Sequence, residues 1–190
     1  MTVASKLITA PAELIALADA KLHLRVDHSE DDAAIASMIT AARESCEHRT
    51  GRAIGAQTWR VTMDEFPTGA IRVPVVPVSG ITSVQYIDTA GTLQTMAPAD
   101  YVLDDASDLQ AWLHPAVGTT WPATMATANA VRVTYACGLT TLPGDLRHWM
   151  LLQIGALFAH REAIGMSGRA AELPGRFVDG LLDRHWVPEV

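Results

Sequence analysis

The spacing of apolar residues changes twice along this chain. Between Leu17 and Thr50, apolar side chains recur every three or four positions, which is the pattern of amphipathic helices. After Gly55 they alternate with polar residues, as in half-buried strands, and from Leu142 the helical spacing returns. The sequence therefore predicts an α+β fold in which an antiparallel helical bundle is interrupted by a small antiparallel β insertion.

The order of these patterns also predicts the domain organisation. Residues 1–56 and 138–190 are expected to form one helical core, and residues 57–137 the β insertion. The chain has 190 residues, of which 49% are apolar and 18% charged, so it is long enough to bury a core and has the composition of a globular protein.

The helix that begins near Ser29 has the strongest signals. Ser29 is a candidate N-cap, and Asp31 and Asp32 suit the positive end of the helix dipole. Gly51 suits the left-handed turn that often ends a helix. The predicted buried face of this helix consists of Ile35, Met38, Ile39, Ala42 and Cys46.

Three other segments belong to the predicted helical core. A second long helix is expected to begin at Pro143 and to run to about Ile164. A short helix is expected at about residues 16–26, after an extended segment at residues 5–9. The apolar face of the second long helix comprises Leu146, Trp149, Met150, Ile154, Leu157 and Phe158.

Short strands are predicted throughout the middle of the chain. Ile81–Asp88 and Thr92–Met96 flank Gly91, and together they predict a hairpin in which the glycine supplies the unusual backbone angle of the turn. Pro74 and Pro77 lack backbone donors, so the valine-rich run around them is expected to be an edge strand or an extended loop. With further segments up to residue 136, the pattern predicts a sheet or barrel of about five or six strands.

The net charge of −7 is unevenly distributed. Between Val61 and Val131 the only Lys or Arg is Arg72, whereas both flanks are close to neutral. A protein that grips DNA needs clustered Lys and Arg to displace counterions, and the sequence has no such cluster. The acidic residues of this middle segment are Asp64, Glu65, Asp88, Asp100, Asp104, Asp105 and Asp108.

No group of residues has the spacing of a catalytic, cofactor or metal site. Cys46 and His48 lie two apart on a helix and point in different directions, and His148 and His160 are too far apart on theirs to share an ion. The chain lacks the glycine-rich motifs of phosphate loops and the Gly-x-Ser-x-Gly motif of hydrolases. We therefore expect no enzymatic activity, no cofactor and no metal. The absence of a long apolar run favours a protein without a membrane partner.

Several short motifs, in order, resemble one protein family. They are ADAKLHLRVD, SEDD, HRTGRA and QTW in the first third, then DEFP and IRVPVVPVSGITSVQYIDTAG, and finally YACGL, LPGDLRHWMLLQIGALFAHREA and LLDRHWVPEV. Together they are similar to the head-tail connector, or adaptor, proteins of long-tailed bacteriophages, in the subgroup that carries a β insertion between its helices. The resemblance covers nearly the whole chain, although Ile15 and Ala16 stand where a Ser or Thr helix cap is expected.

This resemblance implies a structural protein of the virion neck, made in the cytoplasm of the host bacterium. Such adaptors form a homo-oligomeric ring, commonly twelvefold, beneath the portal protein at one capsid vertex. The ring continues the DNA channel, does not bind DNA specifically, and receives a stopper or tail-completion protein. Prophages and gene-transfer particles carry similar proteins, so the resemblance leaves the kind of particle open.

The resemblance and the residue patterns together suggest three sets of surface residues. The first is a C-terminal docking segment for the portal, since relatives use their terminal segment in this way. The second is an acidic surface that would repel DNA phosphates and let DNA slide through the channel. The third is a set of charged contacts between neighbouring subunits of the ring. The candidates are Phe177, Leu181, Leu182 and Trp186 for the portal, Asp100, Asp104, Asp105 and Asp108 for the channel, and Arg43, Glu47, Arg147 and Glu162 for the ring.

Two alternatives stay open at the level of sequence. A stopper or tail-completion protein is also an oligomeric neck component, but it is usually built mainly of β structure, without helical flanks. A small hydrolase with a site between helices and sheet would need a pocket in which polar groups converge.

Overall fold

In the computed structural model the chain is described at residues 3–160 and 180–187. Within these ranges it has three helices and eight strands in an α+β arrangement, which confirms the predicted fold class. The elements are β1 (Val3–Thr9), α1 (Leu17–Leu24), α2 (Asp32–Thr50), β2 (Gln57–Met63), β3 (Ile71–Val73), β4 (Val78–Ile87), β5 (Leu93–Thr95), β6 (Tyr101–Ser107), β7 (Gln110–Pro115), β8 (Val131–Cys137) and α3 (Gly144–Ala159), with short 3₁₀ turns at Pro98–Asp100 and Asp183–His185.

The chain divides into two compact units. The β unit consists of Met1–Ala12 and Gly55–Leu139, and the helical unit consists of Glu13–Ile54 and Thr140–Val190. This division differs from the sequence prediction at the N-terminus, because Val3–Thr9 pairs antiparallel with β2. A single short extended segment carries no signal of its partner strand, so its sequence does not indicate that it belongs to the β unit.

Two antiparallel sheets make up the β unit. One has the strand order β1-β2-β8-β4-β5, and the other has the order β3-β7-β6. In the first sheet Val61, Val133 and Val84 lie side by side on neighbouring strands and are fully buried. In the second, the buried Ile71 pairs with the buried Leu113. The predicted hairpin is present as β4 and β5, but the strands form two sheets instead of one sheet or barrel.

The helical unit has its core between α2 and α3, and α1 contacts both. The predicted face of α2 is largely confirmed, since four of its five residues are buried and Met38 is half-buried. On α3, Leu157 is 41% exposed, and Leu151 is buried in addition to the predicted residues. The buried residues of the two helices include Ile35, Ile39, Ala42 and Cys46 of α2 and Leu146, Trp149, Met150 and Ile154 of α3.

The helix ends differ in part from the predictions. Gly51 does end α2 in the left-handed conformation, with φ +70°, and its N–H donates to the carbonyl of Glu47 at 2.8 Å. The predicted N-cap Ser29 is wrong, because α2 begins at Asp32 and its N-cap position is Asp31. Asp32 instead pairs with Lys21 of α1, at 2.5 Å between Nζ and Oδ1. Ala16 precedes α1 without a side-chain cap.

Candidate functional site

The C-terminal segment, predicted from the sequence to dock on the portal, is partly packed within its own unit. Leu182 and His185 are buried, Leu181 is half-buried, and Trp186 is 59% exposed. Phe177 lies outside the described residues. Of the described candidates for portal docking, Trp186 is therefore the one whose side chain is open to a partner.

Polar contacts fasten this segment to the helical unit. The N–H of Val187 donates to the carbonyl of Thr50 at 2.8 Å. Nε2 of His185 lies 2.7 Å from Oδ2 of Asp145, and Nδ1 of His185 lies 3.3 Å from Nη1 of Arg52. Because a guanidinium can only donate, Nδ1 accepts, and Nε2–H is then free to donate to the carboxylate. His185 and the backbone of Val187 are therefore held against the helical unit.

The contact with His185 affects the pKa of the Asp145 carboxyl group. Partial burial acts to raise its pKa, but the hydrogen bonds that the carboxylate accepts from His185 and from the N–H of Leu146 outweigh burial and lower the pKa below its ordinary value. The carboxylate form of Asp145 is thus the form that the folded unit favours. It lies in the first turn of α3, where a negative charge also suits the helix dipole.

Two of the candidates for ring contacts have partners inside the subunit. The Arg43 side chain is 8% exposed, and its Nε lies 3.1 Å from Oε1 of Glu13. Its Nη1 donates to Oε2 of Glu47 at 2.7 Å, while Oε1 of Glu47 accepts from the N–H of Ile54 at 2.7 Å. The buried guanidinium and these two carboxylates therefore hold α2 to the segments before and after it.

Of the other two candidates for ring contacts, one lies within the described residues and one lies outside them. Arg147 is 43% exposed at its side chain and lies 3.1 Å from Oδ2 of Asp19. Glu162 lies outside the described residues. Ring contacts remain a prediction for this set, and Arg147 is its most accessible described member.

The four acidic candidates for the channel all lie exposed in or beside β6. Asp100 closes the 3₁₀ turn before β6 and accepts from the N–H of Ala97 at 3.2 Å. Asp104 and Asp105 are on β6, and Asp108 is in the turn that leads into β7. Their common position on one edge of the three-stranded sheet agrees with a shared surface. That this surface faces a channel stays a prediction.

The net charge of the whole β unit is less negative than that of the segment between Val61 and Val131 alone. Strands β1, β2 and β8 bring in Lys6, Arg60 and Arg132, which lie outside the segment between Val61 and Val131 or at its border, so the unit has four Lys or Arg against seven Asp or Glu. On the strands the two signs are separated. All four cations lie on β1, β2, β3 and β8, and the strand carboxylates, Asp104 and Asp105, lie on β6.

One open depression of about 500 Å³ lies among the loops of the β unit. Phe66 and Trp121 stack beside it with ring centroids 4.9 Å apart, and Glu65 is its one ionisable lining residue. An acid and base pair cannot be built from one carboxyl group. Burial also raises the pKa of the Cys46 thiol to about 12, which leaves it protonated and unreactive.

Neither a metal-ligand cluster nor a membrane-spanning helix is present among residues 3–160 and 180–187. Within these ranges no three His, Cys, Asp or Glu side chains are grouped as metal ligands. None of the helices described there is both long and apolar enough to cross a bilayer.

The surfaces described above belong to a fold that is known from virus-like particles. The sequence model of the family described as "Phage gp6-like head-tail connector protein" matches residues 14–82, which contain α1, α2, β2 and β3. This chain also aligns over its whole length with a chain from the neck of an empty gene transfer agent (GTA) particle, at a TM-score of 0.80 and 23% identity, covering 97% of that chain. The chain has the fold of a GTA neck protein.

Two further structures contain chains of this fold. One is the virion of a native GTA particle, with a TM-score of 0.78 and 22% identity over 98% of this chain and 96% of the other. Another is the neck of a native GTA particle computed with C12 symmetry, with a TM-score of 0.75 and 21% identity over 97% of both chains. No curated protein matches the sequence.

Proposed function

We propose that this protein is a structural head-tail connector of a virion neck, where copies of it form an oligomeric ring. The observation that carries the proposal is the agreement of two independent comparisons, since the connector family matches residues 14–82 and the whole fold matches neck proteins of GTA particles.

We assign the protein to the connectors that carry a β insertion between their helices. In the chain, β2 to β8 all lie between α2 and α3, which supports this assignment. A stopper or tail-completion protein is the weaker alternative, because the helical unit of α1, α2 and α3 has no place in a mainly β protein.

The proposed ring binds the portal protein on one side and a stopper or tail-completion protein on the other, and DNA passes through its centre. Docking on the portal is assigned to the C-terminal segment, with Trp186 as its anchor. An exposed tryptophan is costly to leave in water, and tryptophan is enriched among residues that dominate binding energy. The neighbouring packed residues Leu182 and His185 hold the anchor in position.

A pair of substitutions tests the anchor. Trp186→Ala removes an exposed side chain, so we expect unchanged unfolding but about 30-fold weaker binding to purified portal rings, the effect of losing about 2 kcal/mol at a hot spot. Leu182→Ala opens a cavity instead and should lower the free energy of unfolding by about 2–5 kcal/mol. Surface plasmon resonance and urea unfolding measure the two effects, and full portal affinity of Trp186→Ala would contradict the assignment.

Loss of the gene tests the proposed function as a whole. Cells that produce the particles but lack this protein should accumulate DNA-filled heads and separate tails, because the joint between them is missing. Electron microscopy of the lysate and complementation from a plasmid provide the measurement and its control. Complete tailed particles without the protein would overturn the proposal.

A further inference from the structure

Among the described strands, two outer sheet edges lie at one end of the β unit, beside an apolar groove. β1 and β3 are each the outermost strand of a sheet, and Val3 of β1 lines the same groove as Ile71 and Arg72 of β3. The groove has a volume of about 430 Å³. Its remaining lining residues are Met63, Pro67, Ala70, Pro74 and Trp112.

The strand beside this groove is unusually uncovered. All seven residues of β1 are exposed, including Val3, Leu7 and Ile8. β1 carries one charge, Lys6, contains no proline, and has an irregularity of register between Leu7 and Thr9, so its edge is only partly protected from pairing. With Arg72 on β3, this end has two cations, an apolar groove and the outermost described strands of two sheets. We call β1 and β3, with Lys6 and Arg72, the basic end.

The opposite end of the same unit is complementary in charge. β5 and β6 are the other outermost strands, and β6 contacts β4, the strand next to β5. Asp104 and Asp105 are exposed on β6, and the apolar side chains of Val102 and Leu93 are about half exposed. We call β5 and β6, with Asp104 and Asp105, the acidic end. The carboxylates Asp64 and Glu65 belong to neither end, because they lie in the loop after β2.

We propose that the basic end of one subunit binds the acidic end of its neighbour, so that a second copy of this chain occupies the groove and the edge of β1. Different surfaces on the two sides make the contact head-to-tail, and such a contact closes into a ring when the rotation between copies allows it. The strand directions permit pairing as well. Each neighbour in the order β1-β2-β8-β4-β5 is antiparallel, so β1 and β5 run the same way.

This inference rests on the proposed function, since it names the contact that builds the ring. It gives Asp104 and Asp105 a role at the subunit boundary instead of the predicted role at the channel wall. A charge-complementary contact of this kind speeds assembly and penalises wrong partners, because like charges brought together cost several kcal/mol.

Charge reversal in the full-length protein tests the contact. Variants are supplied from a plasmid to particle-producing cells that lack the gene, and the ratio of this protein to the portal protein is measured in purified heads. Lys6→Glu with Arg72→Glu, or Asp104→Lys with Asp105→Lys, should each lower that ratio about tenfold. In the variant that carries all four reversals, the ratio of this protein to the portal protein should return to within about twofold of the wild-type value, because every boundary again joins opposite charges.

Two controls keep the result interpretable. Arg72 has other contacts within the chain, so Lys6→Glu and Asp105→Lys, singly and combined, repeat the swap at two exposed residues. Asp27→Lys, at an exposed residue of the helical unit, changes the charge by the same amount as Asp105→Lys and should leave the ratio of this protein to the portal protein unchanged. Circular dichroism verifies that each variant is folded.

The outcomes separate this inference from the proposed function. If the wild type is at the portal vertex and all reversed variants join it equally, the contact is wrong and the connector function stands. If the basic-end variants fail and the four-fold reversal does not rescue them, the basic end binds DNA or another protein, which also overturns the inference. Normal incorporation of the acidic-end variants with impaired DNA ejection would return Asp104 and Asp105 to the channel. A wild type absent from the neck would refute the proposed function itself.

Discussion

Trp149→Ala should lower the free energy of unfolding by about 3–5 kcal/mol, the largest effect that we expect from one substitution in this protein. Trp149 is fully buried on α3, where it packs in the core of the helical unit, and the guanidinium carbon of Arg49 on α2 lies 5.7 Å from the centre of the Trp149 ring. Truncation removes this packing and leaves a cavity that the two helices cannot fill without moving. Urea unfolding followed by circular dichroism measures the change.

Two other substitutions on α3 are matched to this one. The indole N–H of Trp149 is buried and has no hydrogen-bond partner among the described residues. Trp149→Phe removes this unsatisfied donor and keeps an aromatic ring in the core, so it should lower the free energy of unfolding by less than about 1.5 kcal/mol. His148→Ala changes the exposed neighbour and should stay within about 0.5 kcal/mol of the wild type. A small effect of Trp149→Ala, close to that of His148→Ala, would show that this core position is not where stability resides.

Arg43→Ala should lower the free energy of unfolding by about 3 kcal/mol, because it leaves two partly buried carboxylates without their cation. Arg43 lies 3.1 Å from Glu13 and 2.7 Å from Glu47, and these side chains are 29% and 21% exposed. Without the guanidinium between them the two negative charges repel one another, although Glu13 still accepts from the hydroxyl of Thr40 and Glu47 from the N–H of Ile54. The same unfolding measurement applies, and a double-mutant cycle with Glu13→Gln isolates the coupling to that carboxylate.

Arg147→Ala is the natural control for Arg43→Ala, since both arginines were predicted from the sequence to lie between subunits. Arg147 pairs with Asp19 at an exposed site, so its loss should cost less than about 1 kcal/mol of stability. If Arg43→Ala instead leaves the subunit as stable as the wild type but prevents incorporation into heads, Arg43 would be a ring contact after all.

Local patterns predicted the elements of this fold well, because the signals for them lie within a few residues. The helical spacing from Ile35 to Cys46 placed α2 and its buried face, and Gly51 placed its end. The alternation after Gly55 placed β2. The hairpin of β4 and β5 followed from Gly91, which has φ +82°. In each case the backbone preference of a residue and the burial of its neighbours indicate the same structure.

Long-range pairing could not be predicted in the same way. Nothing in Val3–Thr9 indicates that it pairs with a strand more than fifty residues away, or that the remaining strands form two sheets. A close approach between Gly55 and Gly138 is similarly invisible, although a Cβ on Gly138 would overlap the carbonyl of Gly55. These features depend on which surfaces meet, and the order of residues alone does not specify this.

The surface candidates show the same limit. Arg43 looked like an exposed charge on a helix, but its partner Glu13 is thirty residues away in sequence. Leu182 was predicted to dock on the portal, but its side chain is buried within its own unit. The groove beside β1 was missed altogether, because it is lined by residues from β1, β2, β3 and β7. The proline-interrupted run after Ala70 was the one sequence signal for an edge at that place.

A three-dimensional reconstruction of the assembled neck, from particles that contain this protein, tests the central claim most directly. We predict a ring of copies of this chain, coaxial with the portal, in which helices α1 to α3 and the two sheets of the β unit fit the density. Density for the chain at another place in the particle, or a neck without it, would contradict the account.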